Sequence, residues 1–226
     1  MNKDYLRLRQ GDNYISYRMN SRAGQIINSL NKLAPFNCGR ILDAGVAEGR
    51  MLSRVAGSLN FNCAVGIDSC PDAVSAAAAR NDGKVKVFRA DIVKLPFKDG
   101  VFDIVLASAV LEHIWDIDSA MREFYRVLRP GGLLCVTLPN PAYDFINSFL
   151  VKTFHVRRHS LTGMRNILCR AKFSVLDARH FMAFPFARIA LEGAFVRLIS
   201  KMKLGFLLFN FIITARKREE GQPFGC

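Results

Sequence analysis

The amino-acid sequence predicts a doubly wound α/β fold, a largely parallel sheet with helices on both faces. Three observations predict it. Short apolar runs alternate with helix-forming segments five times between Arg40 and Leu138, the pattern of parallel strands joined by right-handed crossovers. The first run, in RILDAGVAEGR at 40–50, passes directly into a small-residue turn and a helix start. An acid stands at or just past the end of each of the first three runs: Asp43, Asp68 and Asp91. In such a sheet the strand ends line one crevice, and ligands bind there.

Taken in order, residues 1–34 read as an N-terminal helical segment. If 15–30 is helical, Tyr14, Tyr17, Arg18 and Arg22 lie on neighbouring turns. This helix either packs across the sheet edge or forms a lid whose Arg18 or Arg22 meets a ligand carboxylate. Pro35 breaks it before the first strand, Ile41-Leu42. Gly45, Ala47 and Gly49 then sit at alternate positions of a turn that lets the backbone bend sharply and approach a ligand. The helix at 51–59 presents its first N–H groups to the crevice. Residues 64–68 (AVGID) form the second strand. Asp68 follows Gly49 by 19 residues, near the spacing at which a carboxylate meets ribose hydroxyls.

Pro71 and Asp72 start a helix that runs to Arg80, and 84–89 (KVKVFR) alternates as a third strand. Phe102–Ser108 is almost continuously apolar, as a central strand covered on both faces should be. A helix at 120–128 stops at Arg129-Pro130-Gly131-Gly132, and 133–138 (LLCVTL) is the fifth strand. Beyond it, 160–171 reads as a helix, with strands at 173–179 and 206–216. Between those strands Leu191, Phe195, Leu198, Ile199 and Met202 recur at helical spacing, with Arg188, Glu192, Arg197 and Lys201 opposite.

The chain has 226 residues, half of them hydrophobic and 23% charged, enough for one globular domain with a real core. Six cysteines without a C-x-x-C pair read as reduced thiols of a cytoplasmic protein, and no metal site is expected. The first residues, MNKDYLRLRQGDNY, lack the apolar stretch of a signal peptide. The net charge of +13 favours anionic partners, whether nucleic acid, a membrane surface or an acidic substrate. It is dispersed, with short groups at Arg157-Arg158 and at Arg216, Lys217 and Arg218. No uncharged run approaches the roughly 18 residues of a membrane span.

Three acids around one Gly/Ala turn suit an adenosine ligand with a cationic amino-acid tail. Asp68 can accept from both ribose hydroxyls, Asp91 from the adenine amino group, and Asp43 with the turn can hold the amino-acid end. The turn is not G-x-G-x-x-G and no G-x-x-x-x-G-K-[ST] occurs, which argues against pyrophosphate.

Through ILDAGVAEG, VGID, ADIVKLPF, FDIVLASAVLEHI and FYRVLRPGGLLCVTLPN, in that order, the chain resembles the class I S-adenosylmethionine-dependent methyltransferases. Within them it is most similar to the ubiquinone/menaquinone-biosynthesis-type branch. The resemblance implies a Rossmann-like seven-stranded sheet whose last strand is antiparallel, and S-adenosyl-L-methionine as cofactor. It makes 35–226 the cofactor-binding domain, with an amphipathic helical insertion at 185–205. It implies that Asp43, Gly45 and Gly49 hold the methionyl part, Asp68 the ribose, and Asp91 with Ile92 the adenine. Ala47 and Ser69 count among the cofactor-binding residues, and Ser108 sits at the crevice floor. The chain departs from the family at Ala47, where the usual residue is Gly. Alanine resists positive φ, so cofactor binding is expected to survive but to be weakened.

Methyl transfer from a sulfonium is an in-line displacement that needs proximity, and a base where the acceptor must lose a proton. The candidate bases are His113, His155 and His159, with Glu112 and Asp116 as orienters. Glu112 and His113 are adjacent and should point apart, which favours a packing or cofactor-side role for His113. His155 and His159, in HVRRHS, fall where the resemblance places a substrate-side histidine. No Asn/Asp-Pro-Pro-Tyr follows the fourth strand and no Pro-Cys pair exists, so nucleic acid is not the favoured acceptor. The expected function is transfer of a methyl group to a small-molecule or lipid-like acceptor. The alternatives are an RNA methyltransferase and a non-catalytic cofactor-fold scaffold. The 185–205 segment has the pattern of either an interfacial helix in peripheral contact with a membrane or an ordinary cap on the sheet.

Overall fold

In a computed structural model, residues 13–33, 39–59, 61–80, 85–143, 156–182, 192–202, 204 and 207–219 are described. The elements run α1 (Asn13–Leu33), β1 (Gly39–Ala44), α2 (Arg50–Ser58), β2 (Phe61–Asp68), α3 (Pro71–Arg80), β3 (Val85–Arg89) and β4 (Phe102–Ser108). They continue with α4 (Ile117–Val127), β5 (Leu128–Pro139), α5 (Leu161–Arg170), β6 (Phe173–Phe181), α6 (Glu192–Lys201) and β7 (Asn210–Lys217). Single 3-10 turns follow β4 (Leu111–His113) and β5 (Pro141–Tyr143).

The seven strands form one sheet in the order β3-β2-β1-β4-β5-β7-β6. β1 pairs in parallel with both β2 and β4, and β5 is parallel to β4. β7 is antiparallel to both of its neighbours, β5 and β6. The doubly wound fold and its one reversed last strand thus stand as the sequence and the resemblance indicate.

The unbroken apolar runs follow from burial on both faces, because alternate side chains point to opposite layers. Leu42, Val105, Leu134 and Val136 pack into one layer with Met121, Phe124 and Val127 of α4 and Met164 and Leu168 of α5. Their neighbours Ile41, Ile104, Leu133 and Cys135 pack into the other with Ile26 and Leu30 of α1 and Leu52 and Val55 of α2. Burial pushes the Cys135 thiol up to about 12, so it behaves as an apolar filler.

Several element boundaries differ from the sequence reading. β5 starts at Leu128 and takes in the Arg-Pro-Gly-Gly segment read as a helix stop, because Phe102 already pairs with Leu128. β7 begins at Asn210 rather than at 206. The carbonyls of Leu207, Leu208 and Phe209 are instead taken by Tyr143 Oη, Asn140 Nδ2 and the Asn140 backbone N–H. The helix within 185–205 is described from Glu192 to Lys201, and 183–191 lie outside the described residues.

α1 is fastened to the sheet by polar contacts that the lid reading did not anticipate. Arg22 Nη2 donates to Asn210 Oδ1 at 3.0 Å, and Arg179 Nη2 donates to Gln25 Oε1 at 3.1 Å and Ser29 Oγ at 3.0 Å. Of the cysteines, Cys63, Cys70 and Cys135 are in no disulfide, whereas Cys169 is disulfide-bonded, which corrects the expectation of six reduced thiols. Pairing depends on which sulfurs the fold brings together, and motif spacing does not report that. Cys38 and Cys226 lie outside the described residues.

Candidate active site

The backbone leaving β1 turns hard against the end of β2. Gly45 and Val46 both donate to the Ile67 carbonyl at 2.8 Å, and Gly49 N–H closes the turn on Val46 O at 2.9 Å. Three residues of the turn are left-handed: Gly45 (φ 87°), Ala47 (φ 47°) and Gly49 (φ 80°). A Cβ on Gly45 would lie 2.5 Å from Val110 Cγ2, so both conformation and contact demand glycine there. Ala47 carries its Cβ in the left-handed region, a conformation that is uncommon without glycine. Arg80 of α3 donates from Nε to Glu48 O at 3.1 Å and ties the outside of the turn to the next helix.

Asp68, at the end of β2, faces this turn. Its Oδ2 accepts from Ala47 N–H at 3.0 Å and its Oδ1 from Cys70 N–H at 2.9 Å. Asp43 is buried at the end of β1, and its Oδ2 has no hydrogen-bond partner. Burial, with a lesser contribution from the negative charge of Asp68, raises the Asp43 carboxyl to about 7. A buried carboxyl beside a second acid is favoured in its charged form by a nearby cation. The donor set therefore fits the ammonium and sulfonium end of S-adenosylmethionine.

Asp91 lies just past β3, exposed, with its Oδ1 accepting from Val93 N–H at 3.1 Å, and Ile92 beside it is buried. Ser69 is exposed, and its carbonyl accepts from Arg89 Nε at 3.2 Å. Ser108, last residue of β4, shares a 2.9 Å hydrogen bond with Thr137 Oγ1 of β5. Asp43, the turn, Asp68 and Ser108 thus gather at the carboxyl ends of β1, β2 and β4.

On the β5 side of this crevice a second small pocket is lined by Glu112, Leu138, Pro139, Pro141, Arg157, Arg158 and His159. Val156 and Arg157 N–H both donate to the Glu112 carbonyl, at 2.8 and 3.1 Å, which draws the chain before α5 over the end of β4. Glu112 is buried and its neighbour His113 is exposed, so the two point apart. His159 is half-buried, and its imidazole is held below the usual range by burial and by Arg157, against the opposing pull of Glu112. His155 lies outside the described residues.

Asp116 does not orient a histidine. It caps α4, with Oδ1 accepting from Ser119 N–H at 2.9 Å. The sequence reading also missed a clamp on the loop after β3. Arg126 donates to Phe97 O at 2.6 Å, Leu95 O at 3.0 Å, Asp99 and Glu123, while Glu123 Oε2 accepts from Leu95 N–H. Its signal is the helix position of Glu123 and Arg126, three apart and facing one loop. Among the described residues no cluster of three His, Cys, Asp or Glu forms a metal site.

The chain is similar to known methyltransferases in sequence and in fold. Residues 42–136 match the family model described as a methyltransferase domain. A demethylmenaquinone methyltransferase of Roseiflexus castenholzii is 36% identical over 110 residues, 48% of this chain and 46% of that protein. A protein of Encephalitozoon cuniculi named as a methyltransferase is 40% identical over 159 residues, 61% of this chain and 71% of that one. The chain spans about half the length of the demethylmenaquinone methyltransferases it matches. Among solved structures, a Haloferax volcanii methyltransferase in complex with the Trm112 activator has the same fold. Its TM-score is 0.70 at 17% identity, with 89% of this chain and 91% of that one covered.

Ala47→Gly should relieve the left-handed alanine and raise the unfolding free energy by about 1 kcal/mol in a urea melt. Asp43 gives a pH dependence of defined sign. Its carboxyl titrates near 7 in the folded protein and near 3.8 ordinarily, so between those values the folded chain holds a proton that the unfolded chain has lost. Stability should therefore fall as pH rises through that window. Asp43→Asn should flatten the slope and be the more stable protein above it, as measured by thermal melts across a pH series.

Proposed function

Because the chain belongs to the S-adenosylmethionine-dependent methyltransferases, we propose that it transfers a methyl group from S-adenosyl-L-methionine to a small-molecule or lipid-like acceptor. The observation that carries this reading is the unpartnered Asp43 carboxyl beside the left-handed turn and Asp68. Asp43 with Gly45, Ala47 and Gly49 would hold the methionyl end, Asp68 and Ser69 the ribose, and Asp91 and Ile92 the adenine. Ser108 forms the floor between this site and the pocket of Glu112 and His159. When bound, the cofactor supplies a methyl group on a sulfonium, which needs an aligned acceptor more than it needs covalent help.

His159 is the residue best suited to take a proton from the acceptor. It lines the second pocket, and burial with Arg157 holds its imidazole below the usual range, toward the neutral form. His113 is exposed and does not line that pocket. The demethylmenaquinone methyltransferases among its relatives support an acceptor of small-molecule type.

A peripheral contact with a membrane rests on a separate observation. On α6 Ile199 is buried, while Phe195, Leu198 and Met202, spaced along one stripe, stay exposed at 41%, 54% and 59%. Arg197 and Lys201 are exposed beside them. An apolar stripe with flanking cations suits the headgroup region of an anionic bilayer. Among the described residues no helix is long and apolar enough to cross one.

Isothermal titration with S-adenosylmethionine tests the reading: Asp68→Asn, which keeps shape and loses charge, should weaken binding at least about tenfold. No binding by the wild-type protein would refute it. The α6 stripe should bring the protein up with phosphatidylglycerol vesicles in flotation, and Leu198→Ser with Met202→Ser should abolish this.

A further inference from the structure

Trp115 is the single tryptophan of the chain, and it is 71% exposed. It stands between the 3-10 turn after β4 and the start of α4, at the carboxyl end of the sheet. α6 lies at the same end. Leu208 packs against Ile199 of α6, and β7 then enters the sheet with Asn210 opposite Pro139, the last residue of β5. Cations gather around the indole. Val156 and Arg157 N–H bond the Glu112 carbonyl, which brings the exposed Arg157 and Arg158 beside the turn that leads to Trp115. The neighbouring Asp116 carboxyl is held below its usual range by hydrogen bonds from Ser119, and further by the charges of Arg122 and Arg157. The acids of this stretch are already partnered, since Asp116 caps α4 and Asp118 lies 3.7 Å from Arg170. An amphipathic ring among cations suits the headgroup level of an anionic bilayer. Single-stranded RNA would also stack on an indole between arginines, but it gives no use to the exposed Phe195, Leu198, Met202 and Leu207 at the same end.

We infer that the end of the sheet carrying Trp115 and α6 docks on an anionic membrane, with the indole seated at headgroup level and the crevice opening onto the lipid surface. The inference rests on the α6 contact proposed above and adds a second anchor, from a different part of the chain. Two anchors fix an orientation that one apolar stripe leaves free. In that orientation a lipid-like acceptor reaches the crevice without passing through water.

With no other tryptophan in the chain, the emission of Trp115 reports the contact directly. The full chain is titrated with phosphatidylglycerol vesicles, phosphatidylcholine vesicles and polyuridylic acid. Phosphatidylglycerol should move the emission to shorter wavelength, and its brominated form should quench it. Added salt, or phosphatidylcholine in its place, should weaken both effects. Arg122→Glu should lower the vesicle affinity read from the emission about tenfold. Trp115→Ser should lose most of the flotation with phosphatidylglycerol vesicles while binding S-adenosylmethionine within about twofold of wild type. Flotation of the wild type with its emission unchanged would overturn the inference and leave the α6 contact standing. Absence of flotation would overturn both and leave untouched the methyltransferase reading, which cofactor titration tests. A tighter response to polyuridylic acid than to the vesicles would overturn the choice of a membrane.

Discussion

The carbonyl of Ile67 accepts from both Gly45 and Val46, and the crevice hangs on that seam. To reach it the chain leaving β1 has to turn within a few residues, and only left-handed backbone does so. Once it has turned, Ala47 N–H falls within reach of Asp68, and the carboxylate is fixed at the mouth of the sheet. Asp43 is then enclosed between the turn and the strands, with no partner on one oxygen. The fold thus holds two acids close together, at a cost in charge repulsion and desolvation that a cationic ligand would offset.

Much of this was legible before any coordinates, and the reasons are local. Strands buried on both faces leave unbroken apolar runs such as FDIVLAS, and a glycine forced by a Val110 contact still appears as a glycine in the turn. The acids at strand ends carry their position with them. What could not be read is what depends on distant segments meeting. Asp116 looks like a partner for His113 in sequence, yet a residue that begins a helix finds the nearest free N–H first, here that of Ser119. Leu207, Leu208 and Phe209 read as strand because they are apolar, but Asn140 and Tyr143, far away in the chain, claim their carbonyls. The disulfide at Cys169 likewise reflects proximity in space.

The pocket beside Glu112 is built by the same economy of means as the crevice at Asp43. One backbone carbonyl, that of Glu112, gathers the segment before α5, and one side chain, Asn140, gathers the approach to β7. Tyr143 stacks on Phe209 with ring centroids 4.1 Å apart, so the turn carrying Pro141 is braced against the segment that follows α6. Leu208, next to Phe209, packs in turn against Ile199 of α6.

The placement of β7 between β5 and β6 has a consequence for how the chain is made. β5 cannot complete its second edge until the last strand exists, because its neighbour on that side is β7 and not the earlier-made β6. While residues 140–209 are being synthesised, β5 offers an unpaired apolar edge. At ordinary ribosomal speeds of about 5–20 residues per second that interval lasts on the order of 4–14 s. For those seconds the nascent protein is most exposed to mispairing with another chain, and a chaperone that shields strand edges would act on it then.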